Sequence, residues 1–182
     1  MIATALDTTV LSDLAADLAE AGLPTSDLAE PGRRFFRFED AAGIVGYAGM
    51  EGDGPDRLLR SLIVKPNRRS GSMGTAILGA IEQAATEEGV ASLYLLTTTA
   101  EPFFRRHGYV MANPADAPAA ITGSAEFRSL CPAIAAFLSK WIVSRHVFVS
   151  LPSPISPRPS LASSFALFPR RGAARRVLLR AS

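Results

Sequence analysis

The chain has 182 residues, 48% of them hydrophobic, which is enough for one domain with its own core and short of two domains of ordinary size. A single cysteine, Cys131, and two histidines exclude a disulfide framework and a Cys-rich zinc site, so metal-free chemistry is expected. Residues 1–140 carry 12 Lys+Arg against 17 Asp+Glu, whereas residues 141–182 carry seven Arg and no acid. The basic pI therefore belongs to the tail and is no nucleic-acid footprint for the main domain.

In chain order, Met1–Leu6 reads as a short strand. Asp7, Thr8 and Thr9 then offer oxygens to cap a helix through Leu11, Leu14, Ala15 and Leu18, which Gly22 and Pro24 close. Phe35–Phe38 and Ile44–Met50 are two strands joined by the turn residues Glu39 to Gly43, and Glu51–Asp56 is a further turn. Leu58–Val64 is almost continuously apolar, as a strand covered on both faces would be, with Arg60 and Ser61 interrupting it. Met73, Ile77, Ile81 and Ala84 recur at helical spacing up to the stop at Gly89. Ala91–Thr99 follows as a strand, and Glu101–His107 as a short helix ending at Gly108. Tyr109–Met111 restarts a strand, Asn113–Phe127 reads as loop and short helix, and Ala133–Val143 as a last strand. Residues 145–182 are rich in Pro, Ser and Arg, lack a sustained period, and are expected to be disordered. With no signal-peptide pattern and no apolar run near ~20 residues, a cytoplasmic location is expected.

The stretch Leu58–Thr75, LLRSLIVKPNRRSGSMGT, joins an apolar strand to a helix through a basic, glycine-containing turn. Unpaired N–H groups at the positive end of a helix, with arginines beside them, suit a diphosphate. There is no P-loop pattern to favour ATP. The segment VKPNRRSGSMGT resembles motif A of the GNAT N-acetyltransferases, with Arg69 as its opening arginine, Gly74 as its closing glycine, and Ser72 where the family usually has its first glycine. AEPFFRRHGYV, Ala100–Val110, resembles a second hallmark, Y-x-x-x-G-F, with Gly108 and Tyr109 in its last two places. The stretches GLPTSDL, LLRSLIV, LYLLTTTAEPFF and EFRSLCPAIAAFLSK look more narrowly like the arsenic-resistance N-acetyltransferases.

The resemblance implies an α+β GNAT fold in residues 1–144: a central mixed, mostly antiparallel sheet, splayed at the acetyl-CoA site and flanked by helices. It implies acetyl-CoA as cosubstrate, no metal, and a small-molecule amine as acceptor, plausibly an arsenical. Homodimer formation is common in such families. It assigns pantetheine contacts to the backbone of Leu62, Ile63 and Val64, pyrophosphate contacts to Arg69, Ser70, Gly71, Ser72, Met73, Gly74 and Thr75, and the oxyanion donor to the Val64 N–H. The usual thiolate-protonating Tyr falls at Phe104, in the cofactor wall, which has no proton to give. Tyr94 or a water are substitutes, although Tyr94 also reads as a packed strand aromatic. Arg60 either binds a substrate anion or pairs with an acid such as Glu51. Glu51 is the candidate base, acting through water, against a plain turn carboxylate. Thr97 and Thr98 are candidate substrate contacts, with helix capping the alternative, for Thr99 especially. Cys131 reads as a buried small hydrophobe or a thiol near the site, and His107 as a helix end facing water. Two other classes compete with the enzyme: a non-catalytic acyl-CoA sensor, and an RNA- or membrane-surface binder resting on the arginine tail.

Overall fold

The computed structural model describes residues 1–69 and 71–142, without the side chains of Thr8 and residues 130–134. The basic tail, Ser70 and Val143 lie outside the described residues, as does the side chain of Cys131. Seven strands form one open sheet in the order β1-β2-β3-β4-β5-β7-β6. They are β1 Ile2–Ala5, β2 Arg33–Asp40, β3 Gly43–Glu51, β4 Asp56–Val64, β5 Ser92–Thr97, β6 Val110–Met111 and β7 Ala136–Trp141. Every neighbouring pair is antiparallel except β4 and β5. The expected mixed, mostly antiparallel sheet is the one found.

Helices cover both faces, which is why β4 is apolar at successive positions rather than alternate ones. On one face, α2 (Met73–Glu87) buries Ile77, Leu78 and Ile81 against Phe36, Phe38, Val45 and Leu59. Each such side chain contributes about 1.5–3 kcal/mol. On the other face, α1 (Leu11–Glu20) sets Leu14 and Leu18 on Phe35, Tyr47 and Ile63. Further along that face Leu58, Leu96, Ile121 and Phe137 form a third cluster. Asp7 caps a 3₁₀ turn, Thr8–Val10, rather than α1 itself, by accepting from Thr9 N.

The last part of the chain differs from expectation. After α3 (Glu101–Arg106) and the short α4 (Ala119–Thr122), residues Ala125–Ile134 form α5, and Ala133 and Ile134 are helical where a strand was expected. Ser124 caps α5 by accepting from Phe127 N at 3.1 Å, and the Phe127 ring packs edge-on against Phe137 at 5.3 Å. A helix of modest propensity is thus fixed by its cap and by packing on β7. The chain leaves this helix at Ala135.

Candidate active site

The site lies where β4 and β5 part. Their parallel pairing runs only from Asp56↔Ser92 to Leu58↔Tyr94, yet β4 continues to Val64 and β5 to Thr97. Opposite this gap β4 carries a bulge: Tyr47 faces Ile63 and Gly49 faces Arg60, so Ser61 and Leu62 stand against Ala48 alone. Ser61 absorbs the extra residue at φ 56°, a left-handed conformation costly for a residue with a Cβ. Gly46 makes the approach of β3 feasible, because a Cβ there would lie 2.0 Å from the Ile63 carbonyl oxygen.

Beyond the bulge the ladder fixes the direction of the backbone. Lys65 N donates to Val45 O at 2.9 Å. Antiparallel residues alternate in the side to which their N–H and C=O point, so those of Val64 are directed away from β3 and into the gap. The Arg69 side chain agrees with this, since its Nε donates to Val64 O at 3.3 Å. The expected donor, the Val64 N–H, therefore faces the place where β5 has withdrawn.

The turn after β4 ends at the start of α2. The first helical bond there is Ala76 N to Ser72 O, so Met73, Gly74 and Thr75 have no helical carbonyl for their N–H groups. Ser72 is the N-cap residue but its side chain makes no capping bond. Gly71 and Arg69 are exposed, whereas Arg68 is held by Asp40. Gly74 packs close to the Phe103 ring, where an added Cβ would stand 3.4 Å away. His107, expected to face water, instead joins two helices. Its Nδ1 lies 2.7 Å from Phe103 O and its Nε2 3.0 Å from Thr75 Oγ1. A carbonyl can only accept, so Nδ1 carries the proton, and in the neutral ring the Thr75 hydroxyl donates to Nε2.

A cavity of about 250 Å³ occupies the gap, lined by Arg60, Ser61, Leu62 and Ile63 of β4, Leu95–Thr97 of β5, and Phe104 and Glu126 among others. Phe104 is a wall here and supplies no proton. Tyr94 stacks on Phe137 at 5.7 Å and lines a different cavity with Asp56 and Ser92, so it is not placed to serve the gap. Thr97 Oγ1 accepts from Ala100 N at 3.0 Å, which makes Thr97 the residue that tethers the entry to α3. Thr98 is exposed and does not line the gap, where Thr99 does.

Arg60 is a paired cation. Its Nη1 and Nη2 donate to the two oxygens of Asp27 at 2.9 and 3.0 Å, and Nη1 also donates to Glu51 Oε2 at 2.6 Å. Its side chain is 1% exposed. Of the two roles open from sequence, pairing with an acid is the one seen, and the terminal nitrogens already face carboxylates. Glu51 is also bound by Arg33 Nε at 3.2 Å and lies outside the lining of the gap. Burial alone would raise the Asp27 carboxyl, but the Arg60 hydrogen bonds and the charges of Arg60 and Arg33 outweigh it and hold Asp27 below its ordinary value.

Sequence reasoning missed Glu126. From the first turn of α5 its carboxylate enters the gap, with Oε2 3.5 Å from Arg60 Nε. Its side chain is 13% exposed. Burial pushes the carboxyl up to about 7; Arg60 works against this, and Glu51 and Asp27 add to it. Nothing in EFRSL distinguishes such a residue from an ordinary acid favoured at a helix start, and Asp27 in its loop is equally anonymous.

No curated protein matches the sequence. Residues 31–111 match the Acetyltransferase (GNAT) domain. Among solved structures, the chain is similar to N-acetylglutamate synthase from Neisseria gonorrhoeae, complexed with coenzyme A and N-acetyl-glutamate. That likeness has 18% identity and a TM-score of 0.59, and covers 79% of this chain but only 36% of that one. An aminoglycoside 6'-N-acetyltransferase complexed with coenzyme A has 18% identity and a TM-score of 0.57, with 80% and 99% coverage. Rv2747 from Mycobacterium tuberculosis, in complex with coenzyme A, has 14% identity and a TM-score of 0.61, with 79% and 100% coverage. Residues 31–111, which span the parted β4 and β5 and the bulge opposite Ala48, thus match the GNAT acetyltransferase domain, and the chain shares the fold of these acetyltransferases.

Proposed function

We propose that the protein transfers the acetyl group of acetyl-CoA to the amine of a small molecule. The observation that supports this most is the single end of the sheet at which β4 leaves β5, the Val64 N–H points into the gap, and α2 begins with free N–H groups. These features fit the cosubstrate: a cleft for a thin chain, a donor for an acyl oxygen and a positive helix end for a diphosphate. Arg69 and the N–H groups of Gly71, Met73, Gly74 and Thr75 would hold the pyrophosphate, with Ser72 in the same turn, and the backbone of Leu62, Ile63 and Val64 would hold the pantetheine. Bound acetyl-CoA supplies an electrophilic thioester carbon. The chain aligns the acceptor with it, excludes water through Leu95, Leu96 and Phe104, and offers the Val64 N–H where negative charge develops.

The acceptor is read as a small cation. With Arg60 on Asp27 and Glu51, an Arg fork for an anionic arsonate or phosphinate is already filled. The narrower arsenical reading is supported by the sequence stretches alone, and an arsenical amino acid is therefore one member of the acceptor panel. Among the described residues no helix is long and apolar enough to cross a membrane, in keeping with a proposed cytoplasmic role. The second reading, an acyl-CoA sensor, is favoured by one observation, the phenyl ring of Phe104 where an acid was expected. Mass spectrometry of spermidine, tyramine, kanamycin and an arsenical amino acid after incubation with acetyl-CoA decides between them. Gain of one acetyl group on any of these supports the enzyme, and coenzyme A binding with no product on all of them supports the sensor.

A further inference from the structure

Two cavities meet at one pair of side chains. The gap between β4 and β5 is lined by Arg60 and Glu126, and so is a second cavity of about 340 Å³ on the α5 side, whose other walls are Pro24, Ser26, Asp27, Glu30, Ala125 and Ser129. Arg60 and Glu126 form the partition. One cavity adjoins the acetyl-CoA backbone donors, and the other opens at Glu30, whose side chain is 62% exposed.

The second cavity has the charge of a cation site. Asp27, Glu30, Glu51 and Glu126 stand against Arg33 and Arg60, an excess of two carboxylates over guanidiniums when all are ionised. The guanidiniums are committed: Arg60 to Asp27 and Glu51, and Arg33 to Asp27, Glu30 and Glu51. Glu126 is the acid least covered by them. It makes no hydrogen bond with Arg60, whose buried Nε has no hydrogen-bond partner among the described residues and faces Glu126 Oε2 at 3.5 Å.

On the acetyl-transfer reading above, we infer that the acceptor amine enters through the Asp27–Glu30–Ser129 cavity and that Glu126, at the partition, takes its proton. An ammonium at the partition gives one proton to the Glu126 carboxylate and becomes a neutral amine. The nitrogen lone pair forms the C–N bond to the thioester carbonyl carbon. The C–S bond then breaks, the departing thiolate takes the second N–H proton, and the products are an amide and free coenzyme A. Glu126 returns its proton to water. Every atom and charge is accounted for without a side-chain acid, consistent with a phenylalanine at position 104. A carboxyl that titrates near neutral pH is suited to this exchange, since it is partly ionised at working pH and closer in basicity to an amine than an exposed glutamate. The charged groups facing it are Arg60 on β4, Arg33 on β2, Glu51 at the end of β3 and Asp27 in the loop before β2.

The test uses the full chain with acetyl-CoA and whichever of spermidine, tyramine and kanamycin is acetylated most rapidly. Wild-type kcat/KM should rise with pH through about 7. Glu126→Gln should lower it roughly 100-fold or more and flatten that limb, with coenzyme A affinity by calorimetry unchanged, and Glu126→Asp should restore the pH limb. Ser129→Trp, which fills the second cavity, should raise KM for the amine and leave KM for acetyl-CoA unchanged. An active wild type whose pH limb survives in Glu126→Gln, or whose amine KM is unmoved in Ser129→Trp, overturns this inference alone. A wild type that acetylates none of the three amines overturns the acetyl-transfer reading and this inference with it.

Discussion

A buried carboxylate held for chemistry should weaken the fold, and the cost at Glu126 follows from its environment. The carboxyl stands at about 7 against an ordinary 4.5. At about 1.4 kcal/mol per pKa unit, ionising it costs roughly 3 kcal/mol more in the folded protein than in the unfolded chain. The sign follows from linkage. A group whose folded pKa is raised favours the folded state fully below its unfolded pKa, and this contribution is lost as pH rises through the folded value. Glu126→Gln keeps the shape and removes the charge, so it should raise stability by only about 1 kcal/mol at pH 5 and by about 3 kcal/mol at pH 8.5. For a chain of this size that corresponds to roughly 6–12 °C in melting temperature. The assay is thermal unfolding of wild type and variant by circular dichroism at half-unit pH steps from 5 to 8.5. A difference that does not grow with pH would refute the argument that burial holds this carboxyl out of its ordinary range. Activity and stability should thus move in opposite directions at one residue.

Other expectations concern the surroundings. Arg60→Met leaves Asp27, Glu51 and Glu126 facing one another, and should cost about 3–5 kcal/mol at pH 7 in urea unfolding. Because Asp27 is held below its ordinary value chiefly by Arg60, that deficit should shrink as pH falls below about 4. Gly46→Ala drives a Cβ to 2.0 Å from Ile63 O, which β4 must relieve by moving; a loss of about 3 kcal/mol or more with reduced acetyl-CoA affinity is expected in unfolding and calorimetry. Arg69→Ala, at an exposed arginine with no acid bound to it among the described residues, should weaken coenzyme A binding by roughly tenfold or more while shifting stability by less than about 0.5 kcal/mol. Arg68→Ala should affect coenzyme A less, since Asp40 already holds that side chain.

What could be read from the sequence was local. The apolar run Leu58–Val64, the turn after it and the periodic helix to Gly89 each declare themselves within a window of fifteen residues, and the structure has them as β4, a turn and α2. The bulge at Ser61 could not be read, because it arises from the register against β3 and not from any preference of serine for φ 56°. Helix α5 was obscured because its stability comes from the Ser124 cap and from the Phe127–Phe137 contact, which joins residues ten positions apart on two different elements. The carboxylate cluster was the least legible of all. Asp27, Glu51, Arg60 and Glu126 span a hundred residues, and each alone resembles a surface charge.

That dispersal explains how an arginine can occupy a strand where an acceptor-handling carboxylate would be more natural. Arg60 points to the α1 and α5 face of β4, into a space that Phe35 closes from one side at 5.9 Å from the guanidinium carbon. A lone cation there would be prohibitively desolvated, so the loop before β2 and the end of β3 each bring a carboxylate to it. Those two acids satisfy Arg60 and leave little of its charge for a third. Glu126 arrives last in the chain, at a site already close to electrostatic balance, and burial raises its carboxyl while Arg60, shared with two other acids, opposes the rise only in part. The arginine therefore acts on the amine indirectly. By taking up Asp27 and Glu51 it leaves one carboxylate, on a helix that the sheet positions independently, free to exchange a proton at the mouth of the gap.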